Sequence, residues 1–217
     1  MNKSIIILIL FFAGLGISKI QAQTFKTALE YMDYISATIE PISGDLWSYT
    51  SAASHGKGAR KVENKRKELI QSIIKSKNII SKMPPFEGDA SLRDSVEANL
   101  QLYYHVMNED FEKILNMEEI AEQSFDLMEA YLKAKELAQE KLRGSSERLS
   151  QKYKDIGTAN YINIIENKSK LEQKIQIADE VYKYYNKAYL IFFKVDKQEG
   201  YLIDAFSKTD INAMQQN

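Results

Sequence analysis

Apolar residues return every third or fourth position along almost the whole chain, and sustained two-residue alternation is missing from the sequence. That period marks helices with one buried stripe. The first stripe runs Phe25, Ala28, Met32, Ile35, Ile39, Ile42, Leu46, Tyr49, Ala53, in steps of 3 and 4. It passes Pro41 without losing phase. A proline inside a helix costs about 3 kcal/mol and bends it, yet a true break has no reason to preserve the register. One bent helix over residues 25–55 is predicted.

A second helix is predicted over 59–82, with Val62, Leu69, Ile70, Ile73, Ile74 and Ile80 inward. Pro84-Pro85 ends it, since neither proline can donate a backbone hydrogen bond. Asp89 or Ser91 then caps a third helix, with Asp94 three residues after Ser91. Its stripe is Leu92, Val96, Leu100, Tyr103, Met107, Phe111, Ile114, an eleven-residue repeat that predicts a nearly straight or slightly right-handed rod. A fourth helix is expected from Glu118, burying Ala121, Phe125, Met128, Leu132, Ala138 and Leu142. The stretch RGSSER at 143–148 is a candidate interruption, after which Leu149, Tyr153 and Ile156 resume the period and Gly157 ends it. The last long helix carries Leu171, Ile175, Ala178, Tyr182, Tyr185, Tyr189 and Phe192, followed by a short helix over 199–206. The pattern therefore predicts an all-α fold: an antiparallel bundle of four to five long helices with a short C-terminal helix.

Composition adds a compartment. Lys3 precedes an apolar run from Ile5 to Ile17, and Lys19 and Ile20-Gln21-Ala22 follow. The run is short against the roughly 20 residues a bilayer span needs, so residues 1–22 read as a secretory signal cleaved after Ala22. Residues 23–217 are left as a single helical-bundle domain with no transmembrane segment. The chain has no cysteine, which excludes disulfides, thiolate metal sites and lipidation at a cysteine. After cleavage 27 cations face 30 acids, a balance that points away from nucleic acid. The charge is uneven, with nine cations and two acids in residues 57–82 and four cations and fourteen acids in 87–140. Packing of the basic second helix beside the acidic fourth, with its row Glu119, Glu122, Asp126 and Glu129, accounts for both blocks.

Candidate chemistry is sparse. The Glu-x-x-His pairs of di-iron bundles are missing, because Ala52 and Leu102 stand three residues before His55 and His105. His105 and Glu109 read as a helix-surface pair, and no metal or other cofactor is expected. There is no Gly-x-Ser-x-Gly. Two features remain. His55, Lys57, Arg60 and Lys61 gather at a Gly56/Gly58 connection where the second helix starts, so cations and free backbone N–H groups coincide at a candidate anion site. Trp47, Tyr182, Tyr185 and Tyr189 form a candidate aromatic rim of the core.

The segments HGKGARKVENKRKELI, MPPFEGD and SFDLMEAYLKAKE resemble an uncharacterised family of exported, all-helical bacterial surface proteins. The resemblance implies an envelope location, in the periplasm, at the cell surface or secreted, and brings no activity or site residues with it. The expectation is a non-enzymatic interaction or structural bundle that meets an envelope protein or polymer. A ligand-binding bundle with an anion site at 55–61 is the alternative. Mass spectrometry of the protein recovered outside the cytoplasm should find Gln23 at its N-terminus; an intact Met1–Ala22 segment would overturn the cleavage reading.

Overall fold

The computed structural model describes residues 24–54, 58–165, 169–209 and 211. It is an all-α bundle. Helix α1 spans Ala28–Ser54, α2 Ala59–Ile80 and α3 Ser91–His105. A π-helical turn, Val106–Asp110, joins α3 to α4, Phe111–Ala121, and α5 and α6 span Phe125–Ala159 and Lys170–Lys208. Successive rods run antiparallel, as their cross-contacts record. Tyr31, Thr38 and Asp45 of α1 meet Pro84, Ser76 and Ser72 in descending order. Asn99 and Asp110 meet Ser145 and Lys141 of α5, and Arg143, Lys135 and Phe125 of α5 meet Asp179, Tyr182 and Lys194 of α6.

The centre of the core lies among α1, α2 and α3. Ile35, Leu69, Ile73, Ile80, Val96, Val106 and Met107 are the large side chains closed from solvent there. Helix α1 continues through Pro41, whose exposed position keeps its missing donor out of the core. The connection after α2 folds back through Phe86–Asp89, whose backbones exchange hydrogen bonds of 3.0 and 2.8 Å. Glu87 and Gly88 take positive φ of 49° and 88° between them, the pairing that closes a type I′ turn. Asp89 serves the start of α3, its Oδ1 accepting from the Ser91 N–H at 2.7 Å and its Oδ2 from the Ser91 hydroxyl at 2.9 Å. Ser91 is thus the first helical residue and not the cap.

Five expectations are corrected. The third rod is not one unbroken α-helix: the π turn interrupts it, with Met107 and Phe111 on the buried side. The break before the fourth helix comes later than Glu118, at 122–124. Ser124 caps α5 there by accepting from the Leu127 N–H at 3.2 Å. Residues 143–148 do not interrupt α5. Ser145 and Ser146 face α3, where Asn99 Nδ2 donates to the Ser145 hydroxyl at 2.7 Å and the Tyr103 and Ser146 hydroxyls pair at 2.8 Å. The helix also runs past Gly157 to Ala159, and this glycine serves close packing, since a Cβ there would lie 2.7 Å from Ile164 Cδ1. The tail is no separate helix, because α6 is continuous to Lys208.

Among the described residues a single charged side chain is fully buried. Arg66 is 6 % exposed. Its Nη1 donates to the Met107 carbonyl at 2.6 Å, and its Nε and Nη2 donate to Glu63 at 2.8 and 2.9 Å. Lys67 also reaches Glu63, at 3.4 Å, and Lys65 pairs with Glu68. The ion pairs of these three α2 cations are therefore with acids of α2 itself, not with the acidic helices. The Arg66 hydrogen bonds hold the Glu63 carboxyl below its ordinary 4.5. Arg66→Met should cost about 1–3 kcal/mol in urea unfolding at neutral pH, because it strands the Met107 carbonyl. The depressed carboxyl contributes stability that is present above pH 4.5 and lost as pH falls through its lower folded value, so the variant should also show a shallower acid slope than wild type.

Candidate functional site

The two clusters expected from sequence have different outcomes. Arg60 and Lys61 are exposed in the first turn of α2, after Gly58, which supplies no side-chain cap. No acid stands in that turn, and Glu63 just beyond it is engaged by Arg66 and Lys67. His55 and Lys57 lie outside the described residues.

The aromatic set does not form one rim. Trp47 is half-buried, with Lys174 Nζ 5.8 Å from its ring centroid. Lys174 and Tyr189 are separated by about 22 Å along α6 at the rise of an α-helix. Tyr182 and Tyr189 are half-buried against the bundle, but Tyr185 is 59 % exposed. The inward stripe of α6 begins as expected, with Leu171, Ile175, Ala178 and Tyr182, and continues through Asn186, Tyr189 and Phe193 in place of Tyr185, Tyr189 and Phe192. A ladder of stacked rings, Tyr185 on Tyr189 at 5.9 Å and Tyr189 on Phe193 at 5.6 Å, climbs from the outer side of α6 to the inner.

The acidic row is also divided. Glu119 belongs to α4, Glu122 to the break, and Asp126 and Glu129 to α5. His105 and Glu109 are the exposed pair expected, Nδ1 to Oε1 at 2.7 Å, and Gln101 holds the other ring nitrogen at 2.6 Å. Among the described residues no group of three or more histidine and carboxylate side chains is placed to hold a metal ion. A groove of about 560 Å³ opens along α2, lined by Tyr34, Lys75, Asn78 and Lys82 among others, away from every residue expected to form a site.

The densest polar chemistry inside the bundle is a cluster that the sequence reading did not single out. Tyr131 of α5, 7 % exposed, donates its hydroxyl proton to Glu118 Oε1 of α4 at 3.0 Å. Lys135, one turn along α5, donates to the same hydroxyl at 3.3 Å. Its ammonium also stands 5.0 Å from the Tyr131 ring centroid and 5.7 Å from that of Tyr182. Tyr49 of α1 is buried close by, edge-on to Phe111 at 5.9 Å. Burial lowers the Lys135 pKa against the opposing pull of Glu118. Burial first, and the Glu118 charge after it, raise Tyr131 well beyond the usual tyrosine range, and burial does the same for Tyr49. The result is an ammonium between two aromatic faces, joined through a phenol to a carboxylate that reaches solvent.

No family model, curated protein or solved structure matches the chain. Among the described residues no helix is long and apolar enough to cross a membrane.

The signs of these shifts set an alkaline profile. Tyr49 and Tyr131 ionise at 10.0 when unfolded and keep their protons to higher pH when folded, so the stability tied to them is complete below pH 10.0 and falls above it. Lys135 has the opposite sign. Its folded value lies below 10.5, so it adds stability as pH rises between the two. Urea unfolding at stepped alkaline pH should therefore show a shallower fall in Tyr49→Phe and a steeper one in Lys135→Met.

Proposed function

We propose that this chain is an exported cell-envelope protein that works as a non-enzymatic interaction bundle, with the outer face of α6 as its contact surface. One observation carries the reading: α6 is apolar on two opposite sides. The inner side packs on α5 and α1, burying Phe193 and half-burying Leu171, Ile175, Tyr182 and Tyr189. The outer side leaves Tyr184 78 % and Phe192 74 % exposed, with Ile177, Val181, Ile191 and Val195 at 60–67 %. Contiguous exposed apolar surface beyond a few hundred Å² marks a place where something else sits, and a helix that needed only the bundle would be polar there. Export is supported by Lys3, the Ile5–Ile17 run and Ala22, and an envelope location by the resemblance that HGKGARKVENKRKELI, MPPFEGD and SFDLMEAYLKAKE carry.

The experiment is photo-cross-linking in intact cells with a photoreactive residue at Tyr184, followed by fractionation. A discrete adduct in an envelope fraction is expected, together with none from the same residue at Lys75 beside the α2 groove. Equal labelling from both positions, or a cytoplasmic chain, would overturn the reading.

A further inference from the structure

The outer stripe of α6 has a period of its own. Ile177, Val181, Tyr184, Ala188, Ile191 and Val195 follow one another in steps of 4, 3, 4, 3 and 4. This is the 3.5-residue repeat of a coiled-coil seam, which takes knobs from another helix into its holes. Its members other than half-buried Ala188 are 60–78 % exposed.

We infer that the seam binds a second copy of this chain, antiparallel along α6 about a two-fold axis level with Asn186. The inference rests on the reading of the outer α6 face as the contact surface and names its partner. A two-fold contact presents one patch to itself, so the patch must be complementary under reversal. This one is. Reversal about Asn186 sets Ile177 opposite Val195 of the second copy, Val181 opposite Ile191, and the largest member, Tyr184, opposite the smallest, Ala188. A parallel pair in register would stack Tyr184 on Tyr184 and Ala188 on Ala188, overfilling one layer and leaving the next hollow.

The flanking positions meet diagonally beside the seam, each pair two residues, about 3 Å, out of level with it. On one side Tyr185, 59 % exposed, meets its own copy, where two phenol rings can stack. On the other, Glu180 meets Lys194, an opposite-charge pair, and Lys187 meets Lys187 as the like-charge contact of the register. Extent fits as well. Scaling the area of a fully exposed aromatic by the observed exposures of Tyr184, Tyr185 and Phe192, and adding the four exposed aliphatics of the seam, gives roughly 800 Å² per copy, which is what a stable interface needs from each partner. A lipid surface would require apolarity alone, with no reason for Tyr184 and Ala188 to exchange places under reversal.

The test uses protein expressed from the full 217-residue sequence, in the processed form in which it is recovered. Sedimentation equilibrium should find twice the chain mass at micromolar concentration. Ile191→Glu, at a position 67 % exposed in the single chain, should weaken association at least about 100-fold and leave helix content and unfolding of the monomer unchanged. Ala188→Tyr should break the dimer, and Tyr184→Ala combined with Ala188→Tyr should restore it, because the large and small members of each layer have then only changed places. Because the chain lacks cysteine, Tyr185→Cys should form one intermolecular disulfide across the axis on oxidation. A monomer up to about 100 µM, a dimer indifferent to Ile191→Glu, or no rescue in the double variant would overturn the inference. A monomer whose Tyr184 cross-links to a different protein, or that binds phosphatidylglycerol vesicles through the same residues, would overturn the second copy and leave the outer face as a contact surface. A monomer with no adduct at Tyr184 would overturn both.

Discussion

The bundle depends on one guanidinium. Arg66 stands where α2 crosses the π turn between α3 and α4, and it closes the carbonyl of Met107 while both residues are shut off from water. A π turn is a local interruption of the α-helical ladder, and a buried carbonyl without a donor costs a substantial part of a small domain's stability. Glu63 fixes the guanidinium plane from one turn back along α2. With that contact in place the third rod can carry its eleven-residue stripe past its midpoint and still present Val106, Met107, Phe111 and Ile114 to the core. Without it, either the register of α4 slips from that of α3 or a carbonyl is stranded.

How much of this could be read in advance differs by element. Helices α1 and α2 were legible because steps of 3 and 4 persist and the proline positions agree with them. The π turn was not, because a run of steps 4, 4, 3 reads equally as slow drift of an unbroken helix. The break at 122–124 has neither proline nor glycine, and its signal is Ser124 followed by Asp126 in a first turn. In α6 the aromatics come as neighbours, Tyr184-Tyr185 and Phe192-Phe193, so periodicity admits either member of each pair. The bundle chose Phe193, and with it the polar Asn186, over Phe192 and Tyr185. Arg66 did leave a trace, since Val62, Arg66, Leu69 and Ile73 continue one stripe in steps of 4, 3 and 4. Among so many lysines it read as part of the basic block set beside the acidic fourth helix. Lys135 left none. Its significance arises only when Tyr182 comes from 47 residues away.

The interior is more polar than its apolar stripes suggest. Where two helices approach closely, hydroxyls fill the narrow space: Ser76 donates to the Thr38 carbonyl at 2.8 Å, and Ser145 accepts from Asn99. Small polar residues permit the approach and are satisfied by it. The same economy holds at Gly157, where even a methyl group would displace Ile164. These contacts do little for total burial and much for uniqueness, because each is met in one register of its pair of helices.

Counting rods rather than helices exposes a consequence for mechanics. The π turn makes α3 and α4 one rod, so the described bundle has five, an odd number, and strict alternation leaves the start of α1 and the end of α6 at opposite poles. Tension applied between those two points would run along the helix axes. The contact between α1 and α6, which travel in the same direction, would be loaded in shear. An even number of rods would bring the two points to one pole, and the same pull would peel the helices apart one turn at a time.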